Sequence, residues 1–201
     1  WKLPSIQAVR WKSKDGAEVE GILELPPGHK QGEKLPLLVQ IHGGPTAATR
    51  LQLRYWIYGR VLYAARGWAV LSPNYRGSTG YGDKFVTDLI GRKNDIDVAD
   101  ILSGVDAMGS RGIADKDKMA VMGWSNGGYL SNCLITRTTR FKPRSYAAIF
   151  ILAATSAPPT AAQNPRGSSA VRSLMQTKMC LSKLATIQPS LSKISLARIS
   201  F

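Results

Sequence analysis

Lys118-Met119-Ala120-Val121-Met122-Gly123-Trp124-Ser125-Asn126-Gly127-Gly128-Tyr129 joins an apolar run to a helical pattern through a serine flanked by glycines. Residues 118–122 read as a short buried strand, and residues 129–136 continue as a helix. Between them lies G-x-S-x-G, placed where a nucleophile elbow requires it. On so sharp a turn the serine is held in a strained backbone conformation. The flanking positions are glycine because a Cβ would collide with the adjoining strand or helix. Such a turn exposes Oγ and directs a helix N-terminus at developing negative charge. The plainer alternative is an ordinary strand-to-helix turn with a capping serine.

The surrounding chain repeats the same alternation. Residues 35–41 form a continuous apolar run between Pro36 and Gly43-Gly44, the pattern of a strand buried on both faces. Residues 53–65 read as a helix with Gly67 at C′, and residues 68–71 as a second buried strand. Val98, Ile101, Leu102, Val105 and Met108 recur at helical spacing. This predicts an amphipathic helix with Asp97, Asp100 and Asp106 on its other faces and Asn94 or Asp95 as its cap. At the start, residues 10–13 and 19–25 flank Asp15-Gly16 as a β-hairpin. Strand and helix in turn predict an α/β fold with a largely parallel sheet flanked by helices.

His42-Gly43-Gly44-Pro45 follows the 35–41 strand, where a loop supplying a second oxyanion N–H belongs. By itself it also fits a Gly-Gly-Pro turn beside a core histidine. Taken with Trp11-Lys12-Ser13-Lys14-Asp15-Gly16, Asn74-Tyr75-Arg76-Gly77-Ser78-Thr79-Gly80-Tyr81-Gly82 and the serine motif, in that order, it resembles the catalytic domain of the prolyl oligopeptidase family. The dipeptidyl aminopeptidase/acylaminoacyl peptidase branch is the most similar, and the resemblance covers about residues 10–142. It implies an α/β-hydrolase fold, incomplete at the C-terminal end, and a serine peptidase acting on peptide or acyl-peptide bonds without a cofactor. Ser125 would be the nucleophile, and the backbone N–H groups of Gly44 and Asn126 would form the oxyanion hole. His42 would be a structural member of its loop, and Arg76 and Tyr81 scaffolding residues or simple turn residues. The resemblance further implies a peptide substrate and an N-terminal β-propeller in the full-length protein.

The chain departs from that pattern after the serine. All 13 acidic residues, from Asp15 to Asp117, precede Ser125, and the 76 residues beyond it hold ten Lys or Arg but no Asp, Glu or His. The net charge of +14 is therefore divided as +4 over residues 1–125 and +10 beyond. A triad in the order Ser, then Asp or Glu, then His finds no acid or base there, which predicts a chain with little or no activity. Residues 1–142 are expected to be the partial catalytic domain. Residues 143–201 are expected to be a divergent, poorly packed basic tail, as from an altered reading frame near residues 141–142. A carboxylesterase of the same fold shares the elbow chemistry and stays open. So does a non-catalytic protein whose tail contacts nucleic acid, although no RNA-binding or helix-turn-helix signature accompanies the charge. The longest apolar run, residues 146–154, is far shorter than the roughly 20 residues that span a bilayer, so no membrane segment is expected. Cys133 and Cys180 stand apart from each other and from His29 and His42, which predicts no metal site or disulfide framework and fits a reducing, cytoplasmic setting.

Overall fold

Strand-rich apolar segments meet in one mixed sheet in the computed structural model, which describes residues 2–53, 59–141 and 151–152. All of these belong to the unit Trp1–Ala153. The strands are β1 (Ser5–Lys12), β2 (Glu18–Leu25), β3 (Leu35–Ile41), β4 (Ala69–Asn74), β5 (Ala114–Trp124) and β6 (Ile151–Leu152). Their order across the sheet is β1-β2-β4-β3-β5-β6. β1 and β2 form the expected hairpin, extended to Ser5↔Leu25, and β2 joins β4 antiparallel. β3 pairs in parallel with both β4 and β5, and β5 pairs in parallel with β6. The boundary expected after residue 142 and the tail 143–201 lie, apart from Ile151–Leu152, outside the described residues.

Consecutive residues of β3 and β4 are buried, so helices must cover both faces of the sheet. On one face Leu38, Val70, Ala120 and Met122 meet Ala64 of α1 (Arg60–Ala65), with Tyr63 and Trp68 packed against them. Of the helix expected over 53–65, residues 54–58 lie outside the described residues, and α1 begins at Arg60. Gly59 enters it at φ +58, a left-handed turn that an uninterrupted helix cannot contain. The far end behaves as the sequence suggests. Gly67 N–H bonds to Ala64 O and Trp68 N–H to Tyr63 O, and the Tyr63 and Trp68 rings meet edge to face at 6.4 Å.

A short α2 (Asp83–Thr87) precedes α3 (Ile96–Ser110), and α4 (Asn126–Arg137) follows β5. α3 and α4 pack on each other and on β5. Two expectations about α3 are corrected. Asp97 and Asp100 are not on an outer face but fully buried, because α3 is packed against four strands and α4, leaving Asp106 to the surface. Nor does a side chain cap the helix. Asp95 occupies the N-cap position without a capping bond. Asn94, at φ +70, donates instead from Nδ2 to Tyr129 Oη on α4, 2.8 Å away. Arg137 in turn donates to the Asn94 carbonyl.

Candidate active site

β5 ends at Trp124, and Ser125 turns the chain at φ +54, ψ −122 into α4. The two flanking glycines explain how strand and helix can lie so close. A Cβ on Gly123 would sit 2.3 Å from the Gly127 carbonyl carbon, and one on Gly127 would sit 2.1 Å from Ile41 O. Ser125 is partly exposed, whereas Asn126, Gly127 and Gly128 are buried. α4 is then closed by ordinary helical bonds, beginning with Tyr129 N–H to Ser125 O. Asn126 is its first residue, and a first-turn N–H has no partner within its own helix.

The His42-Gly43-Gly44-Pro45 loop lies against this turn. A Cβ on Gly43 would stand 3.0 Å from Trp124 O and 3.3 Å from Ser125 Cβ, so the glycine backbone lies tight against the serine. Gly44 follows at φ +119, and the Gly44–Pro45 bond is cis. The ring of His42 faces elsewhere. It stacks on Tyr75, with centroids 4.6 Å apart, while Nδ1 lies 2.8 Å from Gly43 O and Nε2 2.9 Å from Ser78 Oγ. A carbonyl only accepts, so Nδ1 carries a proton in the first of these contacts. Burial pushes the His42 pKa down, against the pull of the Gly43 carbonyl.

The segment after β4 fastens this loop at several points. Tyr75 Oη donates to His42 O at 3.0 Å and receives Asn126 Nδ2 at 3.0 Å. Thr79 N–H bonds to Ala47 O. The Asn74 side chain accepts from Thr49 N–H at 2.7 Å and donates to Thr49 O at 3.0 Å. Tyr81 Oη accepts from Asn74 Nδ2 and donates to Glu20, and burial pushes its pKa up to about 12.

Arg76 locks that segment to the rest of the fold. Its backbone N–H and its Nε and Nη2 groups donate to the buried Asp100 carboxylate at 2.7–3.2 Å. Nη1 and Nη2 also reach Asp15 in the β1–β2 turn, at 2.6 and 3.1 Å. Ser13 Oγ donates to Asp100 Oδ1 at 2.5 Å. Asp100 bonds hold the guanidinium pKa above its usual value despite burial, and Arg76 depresses that of Asp15. Planar, bidentate pairing of this kind suits arginine and not lysine.

Of the residues expected to carry the site, Ser125, Asn126 and the loop holding Gly44 come together in space. Arg76 and Tyr81 serve as scaffold, not as simple turn residues. Sequence reasoning missed Tyr75, Asn74 and Asp100. Tyr75 was visible only as one letter of a motif, and Asp100 as one more acid on a helix. Their importance depends on partners 51 and 24 residues away, respectively. Among the described residues, no three His, Cys, Asp or Glu side chains gather to hold a metal ion.

A mixed sheet with parallel central strands, a strand–serine–helix elbow and a glycine loop against the serine define the α/β-hydrolase class. Within it, residues 56–150 belong to the prolyl oligopeptidase family, whose family model they match. An uncharacterized peptidase of Bacillus subtilis is 33% identical over 144 residues, 68% of this chain and 20% of that protein. The acylamino-acid-releasing enzyme of Sus scrofa is 32% identical, over 68% of this chain and 18% of that enzyme. Among solved structures, the Pyrococcus horikoshii acylaminoacyl peptidase is similar with a TM-score of 0.62 at 32% identity, over 70% of this chain and 22% of that one. A puromycin-hydrolyzing peptidase of Mycobacterium tuberculosis gives 0.63 at 34% identity, over 69% and 21%. The chain thus spans about a fifth of the length of the curated relatives it matches.

Proposed function

We propose that this chain carries the nucleophile half of a serine peptidase site that cleaves peptide or acyl-peptide bonds. The observation that carries the reading is Ser125 at φ +54 between β5 and α4, with Gly43 backbone packed against it. Ser125 Oγ would form a bond to the substrate carbonyl carbon and give up its proton to a base. Charge on the carbonyl oxygen would be received by the N–H groups of Gly44 and Asn126. Collapse of the tetrahedral adduct would expel the protonated amine, and water would then release the acyl group. The relatives include acylamino-acid-releasing enzymes and acylaminoacyl peptidases, which supports N-acylated peptides as substrates.

Both His42 nitrogens are engaged by Gly43 and Ser78, and no His, Asp or Glu follows Ser125 in the 201 residues. A serine without a base is a weak nucleophile, and in a comparable triad enzyme losing Ser or His costs on the order of a million-fold in turnover. The chain by itself should therefore be nearly inactive. The test compares it with a chain in which residues 143–201 are replaced by a family-like segment carrying the Asp and His. A fluorophosphonate probe, a peptidyl p-nitroanilide and a p-nitrophenyl ester serve as readouts. Labelling and amide cleavage that appear only in the restored chain, and vanish with Ser125→Ala, are expected. Rapid turnover by the unmodified chain overturns the inactivity, and cleavage of the ester alone would favour an esterase.

A further inference from the structure

We infer that Tyr75 is a positioning residue that ties the two halves of the oxyanion site together through its hydroxyl; this rests on the serine peptidase reading above. The two N–H donors of that reading come from separate elements: Gly44 from the loop after β3, Asn126 from the start of α4. Two donors act on one oxygen only if their separation is fixed to within a fraction of an ångström. Tyr75 belongs to neither element, yet its Oη bridges them, donating to His42 O and accepting from Asn126 Nδ2, both at 3.0 Å. One bond holds a residue two before Gly44, and the other holds Asn126 by its own side chain.

The phenol is itself rigidly placed. Tyr75 is fully buried, and its ring is stacked on His42 at an interplanar angle of 14°. Its carbonyl accepts Ser78 Oγ–H at 2.6 Å, and the next residue is the Arg76 that grips Asp100. A hydroxyl in this setting has no solvent alternative, so both its bonds are made at one geometry. Ring stacking accounts for the burial of Tyr75 but not for the hydroxyl, which a phenylalanine would lack. The hydroxyl joins the loop to the helix.

The experiment uses the full chain carrying the Asp- and His-bearing segment described above, 15N-labelled, with phenylboronic acid as a tetrahedral probe of Ser125. This restored chain is the parent for the variants. In the parent chain the Gly44 and Asn126 amide signals should shift on titration, and Ser125→Ala should abolish both shifts. Tyr75→Phe keeps the stacked ring and should weaken boronate binding about tenfold, displacing both amide signals even without the probe. Asn126→Ala cuts the same tie from the other side, so the two losses should fall short of additive in the double variant. Val19→Ala, a core truncation on β2, outside the loop and the helix that the tie joins, should lower stability and leave boronate affinity unchanged. Parental affinity and unmoved Gly44 and Asn126 signals in Tyr75→Phe would overturn the tie while leaving the serine site standing. A parent chain whose two amides ignore the boronate would overturn the oxyanion site, and the tie with it.

Discussion

Ser125 sits where an L side chain costs roughly 1–3 kcal/mol of backbone strain. Glycine relieves that strain but loses up to about 1 kcal/mol through the unfolded chain. Ser125→Gly should therefore be about 1 kcal/mol more stable than Ser125→Ala, which keeps the strain; urea unfolding of the two variants checks this. Arg76 sets the opposite kind of constraint. Its side chain is 4% exposed and that of Asp100 is 0%. Arg76→Met leaves the Asp100 carboxylate buried without its counter-charge and should cost about 3–5 kcal/mol. Arg76→Lys should recover only part of that loss, because one ammonium cannot span Asp100, Asp15 and the backbone as the guanidinium fork does. Equilibrium unfolding of both variants separates charge from geometry.

At the scale of elements, close approach decides which glycines are replaceable. Gly104 lies in the middle of α3, where alanine ordinarily stabilises by about 1 kcal/mol. Here a Cβ would meet the Trp11 ring at 2.7 Å, and the indole is pinned by Nε1–H donating to Asp100 O at 2.9 Å. Gly104→Ala should destabilise the parent chain. In a Trp11→Ala background its sign should reverse, a crossover that thermal melts of the four chains would reveal. Gly127→Ala has no such escape, because the obstacle at 2.1 Å is the backbone of β3. It should cost more than about 3 kcal/mol and appear as loss of the folded far-UV spectrum.

For the molecule as a whole, Asp97 couples stability to pH. Burial pushes its carboxyl from 3.8 up to about 6, against the N–H groups of Val98 and Asn94 and the charge of Lys93, which pull it down. The unfolded chain then releases this proton first, so Asp97 stabilises the fold below about pH 4. That contribution is lost as pH rises towards 6. Asp97→Asn removes the loss and should gain on the parent by up to about 3 kcal/mol across that window, then hold level. Asp15, Asp88 and Asp115 have lowered pKa values and work in the other direction, but they cancel in the difference between the two chains. Urea unfolding from pH 4 to 7 gives that difference; a flat one would show that Asp97 does not titrate in this range.

Residues 35–41, 68–71 and 118–122 announce themselves as buried strands because a strand buried on both faces is apolar without alternation, a property carried by local composition. The elbow was legible for a similar reason: its glycines and serine are contiguous, and the space Gly123 needs is set by Gly127 four residues on, although that of Gly127 is set by Ile41 on β3. The start of α1 failed that test, since the left-handed turn at Gly59 leaves no mark in hydrophobic periodicity. Asp97 and Asp100 failed it too. Periodicity assigns charges to the outside, and only the packed fold brings Arg76 to Asp100 and Tyr75 to Asn126. A buried polar group is stable only with its partner in place, and that partner is chosen by the fold and not by neighbours along the chain. The sequence by itself thus determined the sheet, the elbow and the absence of acid and imidazole after Ser125. Tertiary structure alone decided which polar residues hold the loop of Gly44 against the turn at Ser125.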